Sequence, residues 1–248
     1  MRAAVTALIA LVLVPAATAS TRSELVRADA AVRAATARWD GRGAVPRGLS
    51  RAVLDFQRAE LRLTPATIPP LPPRLAAQVR DDVLARAELV RLTPPRPLSA
   101  FRPGPAPPAV ELEHAYRRAE RRFGVAWNVL AAVNMVESAF GRLRETSVSG
   151  AQGPMQFMPA TWRAYGLGGD VHDPADAILG AANYLHANGA PHKYPRALFR
   201  YNPSQFYVDA VLRYARLIRS DPRAFYVLYS RQVFVRTRHG LVRLTGPR

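Results

Sequence analysis

The chain has 248 residues, 49% of them hydrophobic and 21% charged, which is the composition of a globular protein and not of a disordered one. It contains no cysteine, so disulfide frameworks, thiolate metal sites and thiol-linked lipids are excluded. A formal charge of +17 calls for acidic partners, and 22 prolines, many of them clustered, mark stiff joints between folded parts.

The first residues read as a leader. Arg2 supplies a positive start, Ala3 to Val14 an apolar run too short to span a bilayer, and Ala17-Thr18-Ala19 an A-x-A cleavage site ahead of Ser20. The expectation is export, removal of residues 1–19, and a mature chain that is secreted, periplasmic or at the cell wall. Because the leader carries only Arg2, the mature chain keeps +16. An exported cation meets anionic cell-wall polymers through its Arg-rich surface, so neither a nucleic acid partner nor a transmembrane segment is expected. The alternative origin of the charge is compositional, since Lys193 is the only lysine.

Residues 20–92 have a helical pattern. Leu25, Val32 and Trp39 recur every seven residues in a first helix, Ser50 is placed to cap a second running through Leu54, Gln57 and Leu61, and Leu75, Val79, Val83, Ala87 and Val90 define a third. No catalytic constellation is visible there, which favours a helical hairpin or spacer. Residues 93–108 (TPPRPLSAFRPGPAPP) cannot sustain a helix, because proline lacks the amide donor, and they read as a linker.

A helical domain is expected over residues 109–222. Leu112, Tyr116, Ala119 and Phe123 share one face of its opening helix, and a largely apolar helix follows from about Ala126 to Ser138. Asp173-Pro174-Ala175-Asp176 reads as a helix N-cap with an acid in the first turn, Gly189 suits that helix's far end, and Ser204 is a further candidate cap. After Pro222 the period changes to two: "QVFVRT" and "LVRLT" flank Arg238-His239-Gly240 as a short hairpin, so 223–248 forms a basic tail. The fold class is therefore mainly α with a terminal β-hairpin. The five histidines show no H-E-x-x-H spacing, and no metal or other cofactor is expected.

Chemistry concentrates after residue 134. Glu137 stands among Met135, Val136 and Phe140, and a desolvated carboxyl group holds its proton more tightly, as a donor to a glycosidic oxygen must. In "SVSGAQGPMQFMP", residues 147–159, Gly150 and Gly153 would let a bulky ligand approach the backbone. Gln156 between Met155 and Met158 combines a polar fork with an apolar wall, which suits a sugar.

Together "ES" at Glu137-Ser138, "SVSGAQGPMQFMPATW" at 147–162, "DPADAILGAANYL" at 173–185 and "RYNPSQFYVDAV" at 200–211 resemble the peptidoglycan lytic transglycosylases of SLT type. The likeness is nearest to the membrane-bound murein transglycosylase B-like group, without its lipid-anchor cysteine. The resemblance implies a lysozyme-like fold and glycan strands of peptidoglycan as substrate. It implies Glu137 as catalytic acid, Ser147 as a contact of the reacting sugar, Gln156 and Met158 as cleft residues, and Tyr201-Asn202 as a pair with Tyr201 close to the acid. Arg200 stands where the family has Ala, and Pro203 follows the pair.

A hydrolase requires a second carboxylate. After Glu137 the unassigned ones are Glu145 and Asp170, neither in an apolar setting, and the non-hydrolytic route implied by the resemblance needs one acid alone. A hydrolytic muramidase on the same fold and a non-catalytic wall-binding protein remain the alternatives.

Overall fold

A computed structural model describes residues 16–245. The leader expectation falls largely on residues 1–15, outside the described residues. Ten α-helices are described, α1 (Ala16–Thr36), α2 (Arg47–Leu61), α3 (Pro73–Leu92), α4 (Ala109–Phe123), α5 (Trp127–Ser138), α6 (Pro159–Tyr165), α7 (Pro174–Ala187), α8 (Tyr194–Tyr201), α9 (Gln205–Ser220) and α10 (Arg223–Tyr229). An antiparallel hairpin, β1 (Val233–Thr237) and β2 (Gly240–Thr245), closes the order. The mainly helical class with a terminal hairpin is thus observed. No described helix is long and apolar enough to cross a membrane.

α5 is the axis of the fold because it is buried on most sides, its two asparagines included. Val129, Leu130, Ala131, Ala132 and Val133 are all buried, and α4, α7, α9 and α10 surround it. Its far end is anchored by Phe140, which packs edge-on against Phe225 at 5.6 Å and beside Tyr229 at 5.9 Å.

The N-terminal helices belong to the same apolar core, which runs from Leu25 to Tyr229. α3 lies along α9, where Arg213 pairs with Glu88 at 3.1 Å and Arg216 with Asp81 at 2.7 Å. Beneath them the half-buried Arg231, just past α10, reaches the buried Glu60 of α2 at 2.6 Å and Asp82 of α3 at 2.5 Å. Burial first, then the charge of Asp82, pushes Glu60 well above the usual carboxylate range, with Arg231 pulling the other way. Residues 93–108 run without an α-helix and are held by backbone bonds from Arg96 to Arg236, Gly104 to Arg142, and Arg144 to Arg102.

Several local expectations change in three dimensions. Ser50 lies inside α2, which starts after Pro46, so it is not the cap. Trp39 falls beyond the end of α1 yet is buried, its ring against Tyr226 and Tyr229 and its indole N–H donating to the Arg42 carbonyl. Val90, in the last turn of α3, is exposed and does not join the buried stripe. Asp173 caps α7 by accepting from the Ala175 and Asp176 amides, whereas Ser204 occupies the cap position of α9 with no side-chain bond to it. The hairpin turns its valines inward, and Arg236 donates to the Val90 and Thr93 carbonyls.

Removing one partner of a buried ion cluster leaves the others desolvated and uncompensated. Arg231→Ala should therefore cost about 3–5 kcal/mol of stability, read from denaturant unfolding. A loss under about 1 kcal/mol would mean the cluster is open to water.

Candidate active site

Glu137 lies in the last turn of α5, two residues before the backbone turns left-handed at Ala139 (φ 51°), Phe140 (φ 63°) and Gly141 (φ 81°). Two consecutive non-glycine residues at positive φ are costly, and the burial of Phe140 holds them there. The chain consequently reverses just after the acid instead of covering it with another helical turn.

The carboxyl group is enclosed by protein although an edge of the residue still meets solvent. Its pKa is pushed up to about 7 by burial, and a hydrogen bond from Tyr207 pulls it back in part. The negative end of the α5 dipole acts in the same direction as burial. Tyr207 is itself buried and donates its hydroxyl to Glu137 Oε1 at 2.6 Å. Burial and the nearby Glu137 charge hold the Tyr207 hydroxyl far above its ordinary range, so it remains a donor.

Tyr201, the residue singled out from the motif, takes a neighbouring place. Its ring stacks parallel to that of Tyr207 at 6.4 Å, while its hydroxyl donates to the Met155 carbonyl at 2.7 Å. The hydroxyl on the acid therefore belongs to Tyr207, which the sequence reading passed over. Its only sequence signal is its place at the start of the apolar stripe of α9, with Val211 and Tyr214 beyond, which any core residue would share. Further rings extend the row outward: Tyr184 meets Tyr201 edge-on at 5.4 Å, and Tyr165 meets Tyr184 at 4.9 Å.

The loop carrying Gln156 is fixed from below. The Pro154 carbonyl accepts from Ser138 Oγ at 2.6 Å and Asn134 Nδ2 at 2.8 Å, and Asn134 Oδ1 accepts from the buried Tyr116 hydroxyl at 2.6 Å. Ser138, the partner of Glu137 in the "ES" pair, is thus a structural tie between α5 and this loop. Gly153 serves the loop and not a ligand: its φ is 73°, and a Cβ there would lie 1.9 Å from the Val171 carbonyl oxygen. Gly150 turns at φ 90° with open space around it.

Of the remaining candidates, the Ser147 hydroxyl accepts from the Ala151 amide at 2.9 Å. Gln156 sits at φ 50° with its amide nitrogen on the Gly153 carbonyl at 3.1 Å, and Met158 is exposed. Asn202 ends α8, where its amide donates to the Leu198 carbonyl and its own carbonyl accepts from Ser204. The two spare carboxylates are engaged elsewhere. Glu145 accepts from the Arg102 amide at 3.1 Å and faces Arg96, and Asp170 closes a turn on the His172 amide at 2.8 Å.

Residues 114–216 match the family model for the transglycosylase SLT domain, and this stretch is a domain of that SLT type. A relative, membrane-bound lytic murein transglycosylase F 1 of Alkalilimnicola ehrlichii, is 30% identical over 145 residues. The match covers 52% of this chain and 29% of the relative, so the chain spans under a third of that protein's length. The family-model match covers α5, the 147–159 loop, α6, α7 and α8, and most of α9, including Glu137 and Tyr207.

A carboxyl group whose folded pKa exceeds its unfolded value favours the folded state at low pH, and that contribution is lost as pH rises through about 7. Glu137→Gln should leave stability near wild type at pH 4 and raise it by about 1–3 kcal/mol at pH 8, measured by thermal or urea unfolding. An equal effect at both pH values would show that Glu137 is solvated.

Proposed function

We propose that this chain is an exported enzyme that cleaves peptidoglycan glycan strands as a lytic transglycosylase, with Glu137 acting first as acid and then as base. The observation that carries the reading is one desolvated carboxyl group, still partly protonated at neutral pH, with no second carboxylate directed at it among the described residues. The SLT-type domain and the likeness to a lytic murein transglycosylase support the same chemistry.

Tyr207 occupies Oε1, which leaves the proton on Oε2 for the oxygen that bridges N-acetylmuramic acid and N-acetylglucosamine. As that C–O bond breaks, the neighbouring acetamido group supports the positive charge at the sugar carbon. The ionised Glu137 then takes the proton of the muramoyl C6 hydroxyl, whose oxygen bonds to the same carbon. The product is a 1,6-anhydro ring, and no water is consumed.

Ser147 already accepts a hydrogen bond, so its own proton is left to donate to a sugar. Gln156 uses its nitrogen on Gly153 and offers its carbonyl oxygen, Met158 supplies an apolar wall, and Tyr201 and Asn202 complete the substrate contacts. Export rests on the leader at residues 1–19 and would place the enzyme where its substrate is.

Digestion of purified peptidoglycan followed by mass analysis tests the reaction. The expected muropeptides are about 18 Da lighter than hydrolysis products, and Glu137→Gln should reduce release by at least about 100-fold. Hydrated products would establish a muramidase instead, and equal background release by both proteins a non-catalytic binder. Activity should fall as pH rises through about 7, where Glu137 loses its proton, and Tyr207→Phe should move that limb to higher pH.

A further inference from the structure

Arg196 and Arg200 lie four residues apart on one face of α8, with Lys193 at its N-cap three residues before Arg196, all exposed, while Ala197 and Leu198 are buried. Among the described residues none of the three has a carboxylate partner. The helices that α8 packs against, α7 and α9, contribute Asp176 and Asp209, but Asp176 holds the Asp170 amide and Asp209 the Gln205 side chain.

Local stability does not account for this arrangement. Arg200 suits the last turn of α8, but like charges at i and i+4 repel, and a cation at the N-cap, where Lys193 sits, opposes the helix dipole. Three unneutralised cations in line on a short helix are instead what an anionic ligand requires.

The ridge begins beside the candidate active site. The Arg200 carbonyl accepts from the Tyr184 hydroxyl at 2.7 Å. Burial raises that hydroxyl, and the Arg200 guanidinium is near enough to pull it down. Tyr184 in turn meets Tyr201 edge-on, and Tyr201 stacks on Tyr207, the residue bound to Glu137.

We propose that Lys193, Arg196 and Arg200 form a cationic rail that holds carboxylates of the glycan strand lying next to Glu137. The inference rests on the glycan-cleaving reading and adds a preference for anionic strands. A muramoyl unit offers such a group in two ways: as the free lactyl carboxylate of a peptide-stripped strand, or as the carboxylates of an attached stem peptide. A guanidinium recognises either in the same paired geometry.

The test compares wild type with the Arg196→Gln/Arg200→Gln double variant and an Arg196→Lys/Arg200→Lys control. Three substrates are used: peptide-stripped glycan, the same glycan with its carboxylates converted to methylamides, and intact peptide-bearing peptidoglycan. Binding is measured by sedimentation in a Glu137→Gln background, turnover by release of soluble product.

The Gln variant should weaken binding and raise KM by about 3- to 10-fold at low salt, with kcat little changed, and the Lys control should retain most of the affinity. A penalty that vanishes on the methylamide glycan assigns the lactyl carboxylate, and one confined to intact peptidoglycan assigns the stem. Equal binding by Gln variant and wild type on every substrate, or the same penalty on the methylamide glycan, overturns the rail. Product mass judges the cleavage reading separately, because the binding assay uses an inactive background.

Discussion

The removal of water from one carboxyl group is the constraint around which this domain is arranged. Glu137 lies in the last turn of a largely apolar, buried helix, and the chain turns away through three left-handed residues soon afterwards. Burial drives its pKa to about 7, and Tyr207 supplies the polar contact that keeps a buried acid from being an orphan. A carboxyl group so placed still holds its proton in a large share of molecules at neutral pH and has one oxygen to offer.

Holding that geometry takes much of the surrounding fold. The Pro154 carbonyl is gripped by Ser138 and Asn134, and the next carbonyl, that of Met155, by Tyr201, so the 147–159 loop is tied both to the helix of the acid and to α8. Tyr207 rides on α9, and α9 is clamped along its length by α3 through Glu88 and Asp81. The N-terminal helices therefore stand behind the position of the hydroxyl that touches the acid. Arg231, with Glu60 and Asp82, adds a desolvated tie in which loss of one partner is costlier than the pair itself is worth.

The net charge of the chain has two components in the structure. Many arginines are consumed internally, as in the α3–α9 pairs and in Arg236 on the carbonyls that end α3. Others, among them the row on α8, face solvent without a counter-charge. Composition reports only their sum, whereas binding depends on the second group.

Period and punctuation determined a good part of this protein. The helical runs, the Asp173 cap, the proline segment that cannot form a helix and the terminal hairpin follow from rules that act within a few residues, and so does the apolar setting of Glu137. What those rules misjudged was also local in appearance: Ser50 inside a helix, Trp39 buried beyond one, Gly153 making room for the Val171 carbonyl and not for a ligand. The choice of Tyr207 over Tyr201 as the partner of the acid was decided only in the tertiary structure. The two tyrosines lie six residues apart, on separate helices, and which hydroxyl reaches Glu137 is set by how α8 and α9 pack on α5. Long-range packing leaves no signature in the spacing of a motif, because it depends on the angle between elements and not on the order of residues within one.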